Sequence, residues 1–128
     1  MPAATTISIN DANPTAHVYV PVTSEGGLSI YRNVADATIS AAEEQIGLSL
    51  SRASSARTTD KAKFTLSVPH EQTVDGAVVV RDVARADVTV TLPNTMTSGE
   101  RADFAALLQN LLADSVVEDY ITDLIPTW

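Results

Sequence analysis

Val78-Val79-Val80-Arg81-Asp82-Val83-Ala84-Arg85-Ala86-Asp87-Val88-Thr89-Val90-Thr91-Leu92 is the stretch whose reading decides the fold, together with the Pro93-Asn94 break and the Thr97-Ser98-Gly99-Glu100 restart after it. Between Ala84 and Leu92, the small or apolar Ala84, Ala86, Val88, Val90 and Leu92 alternate with Arg85, Asp87, Thr89 and Thr91. Period two means a strand with one apolar and one polar face. Beyond the break, Ala102, Phe104, Ala105, Leu107, Leu108, Leu111 and Leu112 recur at three and four, which is the spacing of an amphipathic helix. The chain therefore changes from sheet to helix near Ser98, and the sheet meets a helical layer on one side only.

Working back toward the N-terminus, the same two-residue period recurs. Lys61 to Val68 places Phe64, Leu66 and Val68 on one face and Lys63, Thr65 and Ser67 on the other. Ile46, Leu48 and Leu50 alternate with Gly47, Ser49 and Ser51. Leu28 to Arg32 reads as a short strand after the Glu25-Gly26-Gly27 turn, and His17 to Val22 pairs as a hairpin with Ile7 to Asn10 across Asp11-Ala12-Asn13-Pro14. Asn33 to Ala42 carries mixed signals and is expected as a loop or short strand. Arg52 to Asp60 is expected as an exposed connection. Pro69 lacks an N–H and is expected to end ladder pairing, which makes His70 to Gly76 a polar loop.

Toward the C-terminus, Thr97 and Glu100 have the spacing of a capping box, predicting a helix over about 98–113. Asp114-Ser115 restarts a second helix over 115–124 through Val116, Val117, Tyr120, Ile121 and Leu124, before Pro126. The fold class is α+β: an N-terminal hairpin and antiparallel meander over about 5–92, then two helices, all in one domain of residues 1–128.

The 128 residues carry 45% hydrophobic side chains but only 5% aromatics, so the core is built from Val, Leu, Ile and Ala. There is no Cys, which excludes disulfides and thiolate metal sites. No apolar run approaches the roughly 18 residues of a membrane span, and Met1 to Thr5 lacks the pattern of a signal peptide; a soluble protein made in the cytosol is expected, with no membrane partner. The net charge of −8 is unevenly distributed: residues 1–44 sum to −4, 45–92 to +1 and 93–128 to −5. Arg52, Arg57, Lys61, Lys63, Arg81 and Arg85 all fall in the middle segment, where an ordinary solvated face is the simplest alternative to a binding surface.

Residue types that carry catalysis are not arranged for it. His17 and His70 lack metal-ligand spacing and read as surface histidines. Glu43-Glu44 and Glu118-Asp119 are adjacent pairs whose members point apart and read as solvated charge. Gly26-Gly27 lacks a phosphate-loop context, and Ser54-Ser55 has no base beside it. Tyr120 and Trp128 read as core or subunit contacts. No enzyme, metal or cofactor is expected. A polar sheet face must meet water or a ligand, and a helical pair appended to an open meander can bury its stripe on its own sheet or on a neighbour's. A homodimer is expected.

The order of hairpin, meander, proline turn, capped helix and second helix resembles the coat proteins of single-stranded RNA bacteriophages, the levivirus group. The resemblance spans nearly the whole chain. It is carried most by Val88-Thr89-Val90-Thr91-Leu92-Pro93, Thr97-Ser98-Gly99-Glu100 and Asp119-Tyr120-Ile121-Thr122-Asp123-Leu124-Ile125-Pro126-Thr127-Trp128. It implies an interlocked homodimer whose sheets join edge to edge, assembly into an icosahedral shell, a virion location after synthesis in the bacterial host cytoplasm, and packaging of single-stranded genomic RNA against the polar sheet face. It also implies that the segment from Pro69 to Ala77 is a loop gathering at the symmetry axes.

Many members of that family bind an RNA hairpin and repress translation. The positions matching their RNA-reading surface are Ser49, Ser51, Lys63, Thr65, Ser67, Arg85, Asp87 and Thr89, and Lys61 joins them as a further cation of the same face. Asp87 departs from the family pattern by placing an anion there, and no aromatic stands on that face to stack a base. A non-viral dimeric module holding another ligand on the polar face is the alternative.

Overall fold

The computed structural model describes residues 5–55 and 58–124. Six strands form one antiparallel sheet in sequence order: β1 (Ile7–Asn10), β2 (Ala16–Glu25), β3 (Leu28–Asn33), β4 (Glu44–Ser51), β5 (Thr59–Val74) and β6 (Ala77–Pro93). Two helices follow, α1 (Ser98–Ala113) and α2 (Ser115–Thr122). The chain divides into two compact units, one reaching Thr91 and the other beginning at Leu92.

Within the sheet unit, turn chemistry sets the register. Gly26 and Gly27 adopt φ of 59° and 83°, which suits a two-residue hairpin between β2 and β3. Gly27 is required for a second reason: its carbonyl accepts from Leu50 N at 3.0 Å, and a Cβ there would lie 2.8 Å from the Leu50 carbonyl oxygen. The β5–β6 hairpin closes the same way, with Asp75 and Gly76 at φ of 51° and 81°.

Cross-strand pairs then sort side chains by face. Pro21, Tyr31, Ile46 and Leu66 form one continuous row across β2 to β5, and Val20, Arg32, Gln45 and Ser67 form the neighbouring row on the opposite face. The first face holds the core, in which Tyr19, Tyr31 and Val90 are buried. An irregularity between Pro21 and Thr23 gives β2 one extra residue, so that Thr23 returns to the polar face opposite Ile30.

Three expectations need correction. Pro69 does not end β5, which runs on to Val74. The β4 ladder reaches only as far as Gln45 opposite Ser67, so Pro69 lies where no β4 acceptor awaits an N–H. Consequently the segment from His70 to Val74 is strand, and β5 joins β6 through the two-residue turn at Asp75-Gly76. The segment after Asn33 is neither plain loop nor strand but contains a short 3₁₀ turn, Ser40–Ala42. It is tied to the extended part of β5 where Thr38 N donates to Glu71 at 2.6 Å, a contact that lowers the Glu71 pKa by favouring the carboxylate.

In the helical unit the capping box is formed as expected: Glu100 N donates to Thr97 Oγ1 at 3.2 Å and Thr97 N donates to Glu100 Oε1 at 3.1 Å. Asp114 ends α1 and starts α2, donating its N–H to the Leu111 carbonyl and accepting from Val116 N at 2.9 Å. Helix α2 stops two residues short of the expected Leu124. The closing residues 125–128, including Pro126 and Trp128, lie outside the described residues, as does Arg57.

The apolar residues of α1 spread around more than half of its circumference, wider than the single stripe read from spacing. No residue of either helix is buried in the single chain; Leu107 and Ile121 are each 69% exposed.

Candidate nucleic-acid interface

The register of β4 and β5 decides where the sequence-predicted residues stand. Ser51 lies opposite Lys61, Ser49 opposite Lys63, Gly47 opposite Thr65 and Gln45 opposite Ser67. Direct partners in an antiparallel ladder share a face, so Ser49, Ser51, Lys61, Lys63, Thr65 and Ser67 stand together. Strand β6 adds Arg85 and Asp87, which line a cleft of about 360 Å³ with Gln45, Thr65 and Ser67. Alternation along β6 keeps Thr89 on that side. All nine predicted residues thus share one surface.

Gly47 makes this surface continuous. Its backbone is buried, and a Cβ would sit 2.5 Å from Thr65 Oγ1, so a larger residue would displace the threonine hydroxyl. Among the described residues Lys61, Lys63 and Arg85 enter no ion pair, whereas Arg81 pairs with Asp82 at 2.9 Å and Arg52 approaches Asp60 at 3.8 Å. Cations already matched to carboxylates have less to offer a phosphate, and on this ground Lys61, Lys63 and Arg85 separate from Arg52 and Arg81. Asp82 also accepts from His70 Nδ1 at 2.7 Å, and the hydrogen bonds from His70 and then Arg81 hold its carboxyl below the usual range.

Sequence spacing missed Arg32 and Gln45. They are direct partners in the β3–β4 ladder, and Arg32 lines a second cleft with Gln45, Ser67 and Arg85. The signal was present but masked: Arg32 shares its side of β3 with the apolar Leu28 and Ile30, so alternation alone did not assign it to a polar face.

A different group stands on the other face. His17 is not a plain surface histidine. Its Nδ1 lies 3.0 Å from both carboxylate oxygens of Glu44, and its Nε2 lies 3.0 Å from Asp11 Oδ2. Tyr19 donates its hydroxyl to Glu44 Oε1 at 2.6 Å. Glu44, expected as solvated charge, is only 13% exposed in its side chain. Glu43 and Glu44 point apart as expected, but Glu44 turns toward β2, where His17 and Tyr19 meet its carboxylate.

These contacts shift protonation in the expected directions. Asp11 is lowered to about 2, first by the His17 hydrogen bond and then by the backbone N–H groups of Thr15 and Asn13. The Asp11 and Glu44 hydrogen bonds raise His17, while burial first and Glu44 second raise the Tyr19 phenol.

Among the described residues, no helix is long and apolar enough to cross a membrane. The chain matches the family described as levivirus coat protein over residues 2–128. It matches no curated protein sequence directly. Solved structures similar to it include the virus-like particle of Beihai levi-like virus 21, at 19% identity and a TM-score of 0.91 over 99% of both chains. The virus-like particle of bacteriophage NT-214 is similar at 22% identity and a TM-score of 0.84, over 100% of this chain and 99% of the other. The bacteriophage GA protein capsid follows at 20% identity and 0.75, over 94% and 95%.

Proposed function

Since this chain belongs to the levivirus coat protein family and is a structural component of the virion rather than an enzyme, we propose that it pairs with a second copy, assembles into an icosahedral shell and encloses single-stranded RNA against its polar sheet face. The observation that carries the RNA assignment is the ladder register, which gathers Lys61, Lys63 and Arg85, without carboxylate partners among the described residues, on one surface with Ser49, Ser51, Thr65, Ser67 and Thr89. Such cations neutralise phosphates without reading sequence, and many copies in a shell multiply a weak single contact.

Dimerisation is supported by two features of the single chain. Strand β6, 17 residues long, is the last in the sheet order and, among the described residues, has no partner beyond it, an edge that a second copy can extend. The helices carry an apolar surface that one chain leaves uncovered. A partner covering it would make the two units of each chain one coat domain. Synthesis in the bacterial host cytoplasm is part of the same reading.

Specific recognition of an RNA hairpin has weaker support. Asp87 places an anion beside Arg85, and the described aromatics of the sheet unit, Tyr19, Tyr31 and Phe64, all lie on the other face. We therefore favour packaging by charge over base recognition.

Lys63→Ala combined with Arg85→Ala tests the reading in purified particles. Nuclease-protected RNA per particle should fall, and the salt dependence of RNA affinity should become shallower by about 0.7 in log–log slope for each lost contact. Light scattering should show dimers unchanged. Unaltered RNA retention in intact particles would remove the inner-face assignment.

A further inference from the structure

The His17 group has a composition that its RNA-facing counterpart lacks. Ligating atoms of His17, Asp36 and Glu44 all lie within 4.8 Å of one another, drawn from β2, β4 and the segment after β3. Asp11, Asp36 and Glu44 surround one imidazole, so negative charge is in excess even when the ring is cationic. Acidic groups alone would not establish a site.

Asn33 supplies the independent observation. It is 1% exposed, and its Oδ1 is buried without a hydrogen-bond partner. Asn33 stands directly opposite Glu44 in the β3–β4 ladder, and its Nδ2 donates to Asp36 Oδ2 at 2.7 Å. Turning the amide over would aim an oxygen at that carboxylate, so Asp36 fixes its orientation. Covalent geometry places Oδ1 only about 2.3 Å from Nδ2, and so within about 5 Å of Asp36 Oδ2. A buried amide oxygen left unpaired costs free energy comparable to a lost hydrogen bond unless something positive meets it.

We propose that His17, Asp36 and Glu44, with the Asn33 amide oxygen beside them, form a binding site for one divalent transition cation of the zinc class per chain. The 3.0 Å spacing of Nδ1 from the Glu44 oxygens suits neighbouring ligands on an ion held at about 2.1 Å. An imidazole nitrogen in the set selects such ions over magnesium or calcium, which prefer oxygen alone. Asp11 has the place of an outer partner: its carboxylate receives the Nε2–H and so fixes the ring with Nδ1 toward the ion. A cleft of about 190 Å³ lined by Asp11, His17, Tyr19 and Glu44 gives the ion a route in. Occupied, the site would tie the N-terminal hairpin to β4 and to the segment after β3.

Calorimetric titration of the assembled protein with Zn²⁺, after treatment with a chelator, tests this. Expected is saturation at about one ion per chain, with X-ray absorption showing one imidazole nitrogen among oxygen donors. Asp36 is exposed and Asp36→Asn preserves its size, so this variant should fold, as circular dichroism would verify, and lose at least about tenfold in affinity. Asp11→Asn should weaken binding by about 10- to 100-fold. His70→Gln, at the other histidine, should leave it unchanged. Zn²⁺ binding that survives Asp36→Asn, that vanishes with His70→Gln, or that never saturates would overturn the proposal. Displacement by an equal concentration of Mg²⁺ would overturn the choice of ion class.

Discussion

The sheet unit and the helical unit solve the burial problem in opposite ways. The sheet unit has its own interior: Tyr19, Tyr31, Ala42 and Val90 are buried, with the Tyr19 hydroxyl matched by Glu44 and the Asn33 Nδ2 by Asp36. The helical unit has regular hydrogen bonding and well-made caps, but neither helix has a buried side chain. Local signals are sufficient to form its helices, yet most helical stability in proteins comes from packing an apolar face. In the single chain, apolar residues of both helices, Leu107, Leu111 and Ile121 among them, are exposed. Under the assembly proposed above, a second copy covers these residues, and the subunit is complete only in company.

The strongest way to break this comparison is to charge the helical surface. Leu107→Asp with Leu111→Asp should abolish particle formation while the sheet unit keeps its β signal, because burying an unpaired carboxylate costs several kcal/mol or more. Leu107→Ala with Leu111→Ala should act in the same direction by about 2–5 kcal/mol for each residue if a partner buries them. Size-exclusion chromatography with light scattering reads both. Particles formed normally by the Asp variant would show that the helical surface stays in water, and the contrast between the units would collapse.

Removing one hydroxyl probes the other side of the comparison. Tyr19→Phe deletes the donor to Glu44 and should lower stability toward urea by about 1.5–3 kcal/mol, the range for a hydrogen bond to a charged group. Measured with chelator present, the loss belongs to the sheet unit alone. A change under about 0.5 kcal/mol, the size of an ordinary surface substitution, would mean that the buried network contributes little. Gly47→Ala should cost a comparable about 1–3 kcal/mol through its clash with Thr65, and it should also disturb the RNA surface without altering charge.

How much of this was legible followed the distance over which each signal acts. Alternation in Ile46 to Leu50 and in Ala84 to Leu92, and the Thr97–Glu100 spacing, depend on neighbours a few residues away and were read correctly. Pro69 was misread because tolerance of a missing N–H depends on whether β4 extends alongside it, which its own sequence does not state. The His17–Glu44 contact was illegible for the same reason in stronger form: the partners are 27 residues apart and meet only through the sheet's register. Arg32 lay hidden among apolar neighbours on its strand face. The nine polar-face residues were legible as a set through alternation and family resemblance, but it is the β4–β5 pairing that places Ser49 against Lys63 and Ser51 against Lys61.

The smallest expected effects sharpen the comparison at the helical unit's own start. Thr97→Ala removes the side-chain acceptor for Glu100 N and should cost about 1 kcal/mol, much less than the leucine substitutions. The reciprocal half of the cap carries a pH dependence. Backbone and side-chain hydrogen bonds from Thr97 hold the Glu100 carboxyl below its ordinary value of 4.5. A depressed folded pKa means that the contribution is fully present above the unfolded pKa and is lost as pH falls through the folded one. Helical ellipticity should therefore decline slightly on acidification below about pH 4.5, and Glu100→Gln, which keeps an acceptor but does not titrate, should flatten that part of the profile. Since Glu100 is fully exposed, the change is confined to the first turn of α1. If acidification instead dissolved the particles in the wild type and the Gln variant alike, the titrating groups would lie elsewhere, and the cap would be a local device with no part in holding the helices together.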